Sequence, residues 1–171
     1  GTSLDGFRES DPARLRSVVA DLATDTDVIL LDSAATLGSR AGVLPVVLAD
    51  RVVVVLQPTI PALSDGLKVQ EYAAAYDTGV AGLLFNMVRD EAAIDRIAGK
   101  AERYFEGPTL ATIPESDAAR AARRAGEPLL AHAPGTTAAT AYRRAAETLE
   151  IRETGSEDVA DRFRSAVIPD A

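Results

Sequence analysis

Three short apolar runs constrain this chain more than anything else in it: RVVVVLQP (51–58), VAGLLFN (80–86) and PTLATIP (108–114). None alternates apolar with polar residues, as a half-exposed strand must, so each reads as a strand buried on both faces. Segments of helical composition separate and follow them, at 62–76, 90–105, 116–125 (ending at Gly126) and 136–149. A fourth apolar run, Val28 to Leu31, leads into Asp32 and predicts an earlier strand over 27–32. Asp11-Pro12 reads as an N-cap followed by proline at the first helical position. A short helix is expected over 41–49, interrupted or started near Pro45. Strands that alternate with helices in this way predict an α/β fold with a mostly parallel sheet flanked by helical crossovers. Residues 1–150 are read as one domain, and 151–171, where the composition turns acidic and polar, as a tail.

Composition removes several classes of function. The 171 residues suffice for one domain, burying roughly 70% of the unfolded surface. There is no cysteine, so disulfides and thiolate metal sites are excluded. A single histidine, His132, speaks against a histidine-built metal centre or a catalytic triad. No apolar run approaches the roughly 18 residues that span a bilayer, and no basic-then-apolar leader precedes the first helix, so a cytoplasmic location is expected. The net charge of −8 repels DNA and anionic lipid, so no direct nucleic-acid partner is expected. Lys68 and Lys100 are the only lysines among 18 cationic residues. Acid-rich, lysine-poor composition fits a halophilic source, and a GC-rich genome produces the same bias.

The stretch DVILLDSAATLGSR (27–40) carries the first chemical signal. Ligands of open parallel sheets sit outside the carboxyl ends of the strands. A carboxylate there, Asp32, is suited to holding Mg²⁺ that bridges phosphate oxygens, or it merely caps the following turn. A phosphate-receiver domain also ends a buried strand in Asp. That chemistry needs an earlier acidic pair and a downstream lysine, and both lysines fall in predicted helices, so it is the weaker reading.

Taken in order, DVILLDSAATL, LADRVVVVLQPTIPALSDGLKV, GLLFNMV and ATIPESDAARAARRAGEPLLAHAPGTTAATAYRRAA resemble the carboxyl-terminal two thirds of the MinD/ParA-type ATPases, over about residues 11–149. The resemblance implies a P-loop NTPase-like fold without its amino-terminal part. It also implies a cycle of ATP-dependent homodimerisation and hydrolysis that positions division, partition or other cargo, with ATP and Mg²⁺ as cofactors. Asp32 matches the acidic residue that supports Mg²⁺, and Asn86 matches the asparagine that recognises adenine through its amide. Pro114 and Glu115 match the loop lining the base. Read without the family, Asn86 and Pro114 are strand-end turn residues. With Asp32 they are expected at strand ends on one edge of the sheet.

Two departures qualify this. The family's phosphate loop, K-G-G-x-G-K-[ST], does not occur in the chain; Gly99-Lys100 lies in or near the end of a helix with no glycine-rich lead. The chain is therefore expected to be part of a longer member or a degenerate one, and inactive by itself as an ATPase; no catalytic residue is assigned. The family's switch loop reads D-S/T-x-A-G, whereas here Asp32, Ser33, Ala34, Ala35 and Thr36 put Thr at the glycine position. The added Cβ disfavours positive φ there. The alternative is a catalytically inactive interaction module that keeps the dimer or partner surface.

The remaining candidates have plainer readings. His132 is a polar loop residue before the last helix. Arg120, Arg123 and Arg124 form a solvated basic face. Lys68 is an exposed lysine in a helix that the resemblance turns toward a dimer or partner. Val159, Phe163 and Val167 form a weak apolar stripe. Five acids against three arginines from 151 to 171 give the wrong sign for anionic lipid, so membrane association is expected to be weak at most.

Overall fold

The computed structural model describes residues 12–33 and 40–151. They fall into two compact units, one of residues 12–33, 40–50 and Tyr76–Thr78, the other of Arg51–Ala75 and Gly79–Ile151. The Asp11 cap, Thr36 and the predicted tail beyond residue 151 lie outside the described residues.

The first unit pairs helix α1 (Pro12–Leu22) with α2 (Arg40–Leu48). Leu15 and Val19, four apart on α1, meet Leu44 and Leu48, again four apart, on α2. Helix α2 runs through Pro45 rather than starting or breaking there. The strand predicted over 27–32 does not form. A strand exists through its ladder, and no described strand pairs with this run. Ile29 and Leu31 pack against the α1–α2 cluster, while Val28 and Leu30 face outward, Leu30 with 86% of its surface exposed. The run is thus covered on one side, not two.

The second unit holds a parallel sheet of order β1-β2-β3: β1 (Arg51–Leu56), β2 (Gly79–Val88) and β3 (Thr109–Pro114). Helix α3 (Ile60–Ala75) connects β1 to β2, and α4 (Glu91–Ala101) connects β2 to β3. Both crossovers lie on one face, as same-handed crossovers between successive neighbours must. There Val54, Leu56, Leu83, Phe85 and Val88 pack with Ile94, Ala101 and Phe105, and Leu63 and Leu67 of α3 join them. The opposite face of β2 and β3 is covered by α7 (Thr137–Thr148), whose Ala138 and Ala145 let the helix approach Leu84, Leu110, Ala111 and Ile113 closely. β2 and β3 are therefore buried on both faces, as their sequences predict. β1 is covered on one side only, with Val53 and Val55 exposed.

Between β3 and α7 lie α5 (Asp117–Ala125) and the one-turn α6 (Leu129–His132), which the sequence reading leaves as loop. Ser116 caps α5 by accepting a hydrogen bond from the Ala119 N–H. Gly126 closes the helix in the left-handed conformation at φ 71°, the role glycine serves there without steric cost. His132 ends α6, and its Nδ1 lies 2.7 Å from the Glu127 carboxylate. Among the described residues no helix is long and apolar enough to cross a membrane.

Candidate functional site

The site forms where β2 and β3 end. Phe85 pairs with Thr112 and Val88 with Pro114, so three steps along β2 match two along β3. This is a β-bulge, and Met87 supports it with a left-handed φ of 56°, uncommon for a residue with a side chain. The bulge resets the inward–outward alternation. Leu83, Phe85 and then Val88 all enter the α3–α4 core, which leaves Asn86 and Met87 between them at the edge. Asn86 is half-buried, and its Oδ1 accepts a hydrogen bond from the Met87 N–H at 2.9 Å. That bond uses one of the two lone pairs of Oδ1; the other, with the two donors of the amide nitrogen, is the part suited to a ligand.

The turn after β3 is tied to the same edge. The Glu115 N–H donates to the Val88 carbonyl at 2.9 Å, extending the ladder by one bond beyond Pro114. The Glu115 carboxylate lies between two guanidiniums. Arg89 donates to it from Nε at 2.7 Å and Nη2 at 3.3 Å, and Arg120 from Nη1 at 2.9 Å. Hydrogen bonds from Arg89 and then Arg120 hold the Glu115 carboxyl below the ordinary carboxylate range. Arg120 is also bonded to Asp117, which chiefly raises its own pKa, with Glu115 contributing.

Asn86, Pro114 and Glu115 are thus brought together at the carboxyl ends of neighbouring parallel strands, the place where such sheets bind ligands. Asn86 is within the last turn of strand rather than at its end, because β2 runs on to Val88. Asp32 and Ser33 belong to the other unit. Asp32 is exposed and lies on no strand, so its predicted place at a strand end is corrected for the reason given above. Ser33 Oγ donates to the Gly42 carbonyl at 2.9 Å, fastening the residue after Asp32 to the first turn of α2.

Among the described residues no group of three or more acidic or histidine side chains could hold a metal ion. Asp32, a single carboxylate, would hold Mg²⁺ only together with oxygen ligands supplied from outside this chain's described residues. An open groove of about 350 Å³ adjoins the edge on the α3–α4 side, lined by Gln57, Pro58, Thr59, Met87, Arg89, Asp90, Ile94 and Ile97. Asn86, Pro114 and Glu115 are not among its walls. Gln57 Nε2 lies 3.5 Å from Met87 Sδ and links the end of β1 to the bulge. Lys68 is exposed and paired with Asp65 at 2.8 Å. Sequence reasoning missed Arg89 altogether and left Arg120 on a solvated face.

No family model matches the chain. It is 29% identical over 127 residues to an uncharacterized ATP-binding protein of Methanocaldococcus jannaschii, covering 74% of this chain and 47% of that protein. Its structure resembles that of the cell division ATPase MinD of Pyrococcus furiosus with a TM-score of 0.72 and 26% identity, covering 86% of this chain and 62% of that one. MinD of Pyrococcus horikoshii, solved as a complex with Mg-ADP, gives a TM-score of 0.72 at 25% identity, with 86% and 60% covered. The chain spans about half the length of the curated relative and about three fifths of these structures. Parallel topology, the order of the matching segments and these likenesses agree: in fold and in segment order the chain resembles a part of the MinD/ParA-type ATPases.

Proposed function

We propose that the full-length gene product is an ATP-dependent dimerisation switch of the MinD/ParA type, to which this chain contributes the base-recognition edge and the switch acid. One observation carries the reading: the bulge that presents Asn86 is held by backbone pairing beside the Pro114–Glu115 turn. In this mechanism the Asn86 amide nitrogen donates to an acceptor on adenine, and Pro114 shapes the wall beside it. Asp32 orients a water or an oxygen ligand toward the phosphates. Mg²⁺, when bound, neutralises phosphate charge. Hydrolysis resets the dimer, and a protein partner reads one state only. Positioning of division, partition or other cargo is the role that fits such a cycle.

The test is binding of ATP by the full-length gene product, followed by light scattering with ATP and with ADP. The expected result is a dimer with ATP only, with Asn86→Ala weakening ATP binding and Asp32→Ala abolishing ATP-dependent dimerisation and partner binding. A second reading, a catalytically inactive module that keeps its dimer or partner surface, is favoured by Thr36 at the glycine position of the switch loop. It requires association that is indifferent to nucleotide and to Asp32→Ala.

A further inference from the structure

The family resemblance makes Glu115 part of the lining of the base. Its hydrogen bonds give it different work. Of its two carboxylate oxygens, Oε1 accepts from both Arg89 Nη2 and Arg120 Nη1, and Oε2 accepts from Arg89 Nε. A carboxylate has about four lone-pair sites, so most of its accepting capacity is already spent within the protein. Its backbone N–H is likewise committed to Val88. Arg89 reaches it from just beyond the bulge, and Arg120 from the first turn of α5, so a single side chain joins β2, the β3–α5 turn and α5 itself.

We infer that Glu115 is an anchor rather than a base contact, and that Arg89 and Arg120 are positioning residues that hold the Pro114 turn in register with Asn86 through it. This rests on the nucleotide-switch reading above. It assigns discrimination between bases to Asn86 and leaves the Glu115 side chain to set how well the edge is preorganised. Loosening a supporting contact displaces a binding group without altering what it recognises, so all nucleotides should weaken together. A base contact would behave otherwise, because removing it changes the preference among bases. Arginines that contacted phosphate would differ again, since they would weaken base-free anions too.

The experiment compares ATP, GTP and inorganic pyrophosphate binding to the full-length gene product by calorimetry, in the wild type, Glu115→Gln, the Arg89→Gln/Arg120→Gln double variant and the Arg89→Lys/Arg120→Lys double variant. Amide exchange at Glu115 without nucleotide is measured in parallel. Expected in the glutamine double variant are faster exchange at Glu115 and ATP and GTP affinities each lower by about tenfold. Pyrophosphate affinity stays unchanged, and the lysine double variant recovers part of the loss. The inference is overturned if ATP affinity is unchanged, if pyrophosphate weakens in step with ATP, or if Glu115→Gln alters the ATP-to-GTP ratio. Unaltered exchange at Glu115 overturns it as well, even if affinity falls. Wild-type protein that binds no ATP refutes the switch reading and the inference together, whereas the other refutations leave the switch reading standing.

Discussion

Replacing Gly82 by alanine tests the close approach on which the sheet depends. A Cβ at Gly82 would stand 2.7 Å from the Pro108 carbonyl oxygen and 2.6 Å from Leu110 Cγ, distances that real Cβ atoms essentially never show. The Pro108 oxygen cannot simply retreat, because it accepts the Leu83 N–H at 2.8 Å. On the facing strand entry, a Cβ at Gly107 would lie 2.8 Å from Gly82 Cα, so the two backbones touch from both sides. Overpacking costs roughly 1–3 kcal/mol, and a weakened backbone hydrogen bond adds about 1 kcal/mol. Gly82→Ala should therefore destabilise by about 3 kcal/mol, a large share of the 5–15 kcal/mol typical of a domain. With a urea m-value of about 2 kcal/mol/M, the unfolding midpoint followed by circular dichroism falls by about 1.5 M. Gly99→Ala provides the opposite sign. Gly99 lies in α4 with nothing within 4 Å of its Cβ position, so the better helix former raises the midpoint by about 0.3–0.5 M. Equal responses at the two glycines, or a Gly82→Ala midpoint within about 0.3 M of wild type, would refute the argument from backbone contact.

Three further outcomes follow from single side chains. Phe85 is fully buried in the α3–α4 core, so Phe85→Ala should cost about 3–5 kcal/mol; a melting temperature within a degree or two of wild type would contradict its placement. Thr109 Oγ1 is buried without a hydrogen-bond partner among the described residues, and Thr109→Val should stabilise by about 1 kcal/mol in the same urea titration. Glu115 has a depressed pKa in the folded state, so its contribution is present above the unfolded-state pKa and is lost as pH falls through the folded value, below the ordinary 4.5. The melting-temperature gap between wild type and Glu115→Gln should hold near neutrality and close under acid. A gap that does not narrow at all as the pH is lowered through the acid range would show that the ion pairs are not its source.

The parallel sheet was legible because β2 and β3 lack polar alternation, and their helical connections had the composition to match. The run before Asp32 misled for the same reason. Four apolar residues specify burial, but they do not say whether the burying surface is a neighbouring strand or, as here, a pair of helices on one side. The short α6 left too few residues to show a period. At the site, Asn86 and Pro114 could be grouped from predicted strand ends and Glu115 through the family resemblance, whereas Asp32, grouped with them, lies on no strand. Arg89 could not be grouped in this way, because its partner Glu115 lies 26 residues along the chain; Arg120 lies five residues from Glu115 and was read as part of a solvated basic face. Strand order decides which residue lies beside which, and the amino-acid sequence does not print that order.

The bulge at Asn86 and Met87 also separates two selective pressures that share one strand. In an unbroken ladder, any change of polarity at the edge is in phase with the core and constrained by it. The extra residue acts as a phase slip: Val88 returns to the interior whatever occupies the two positions before it. The two edge positions can therefore be substituted while the packing beneath them stays as it is.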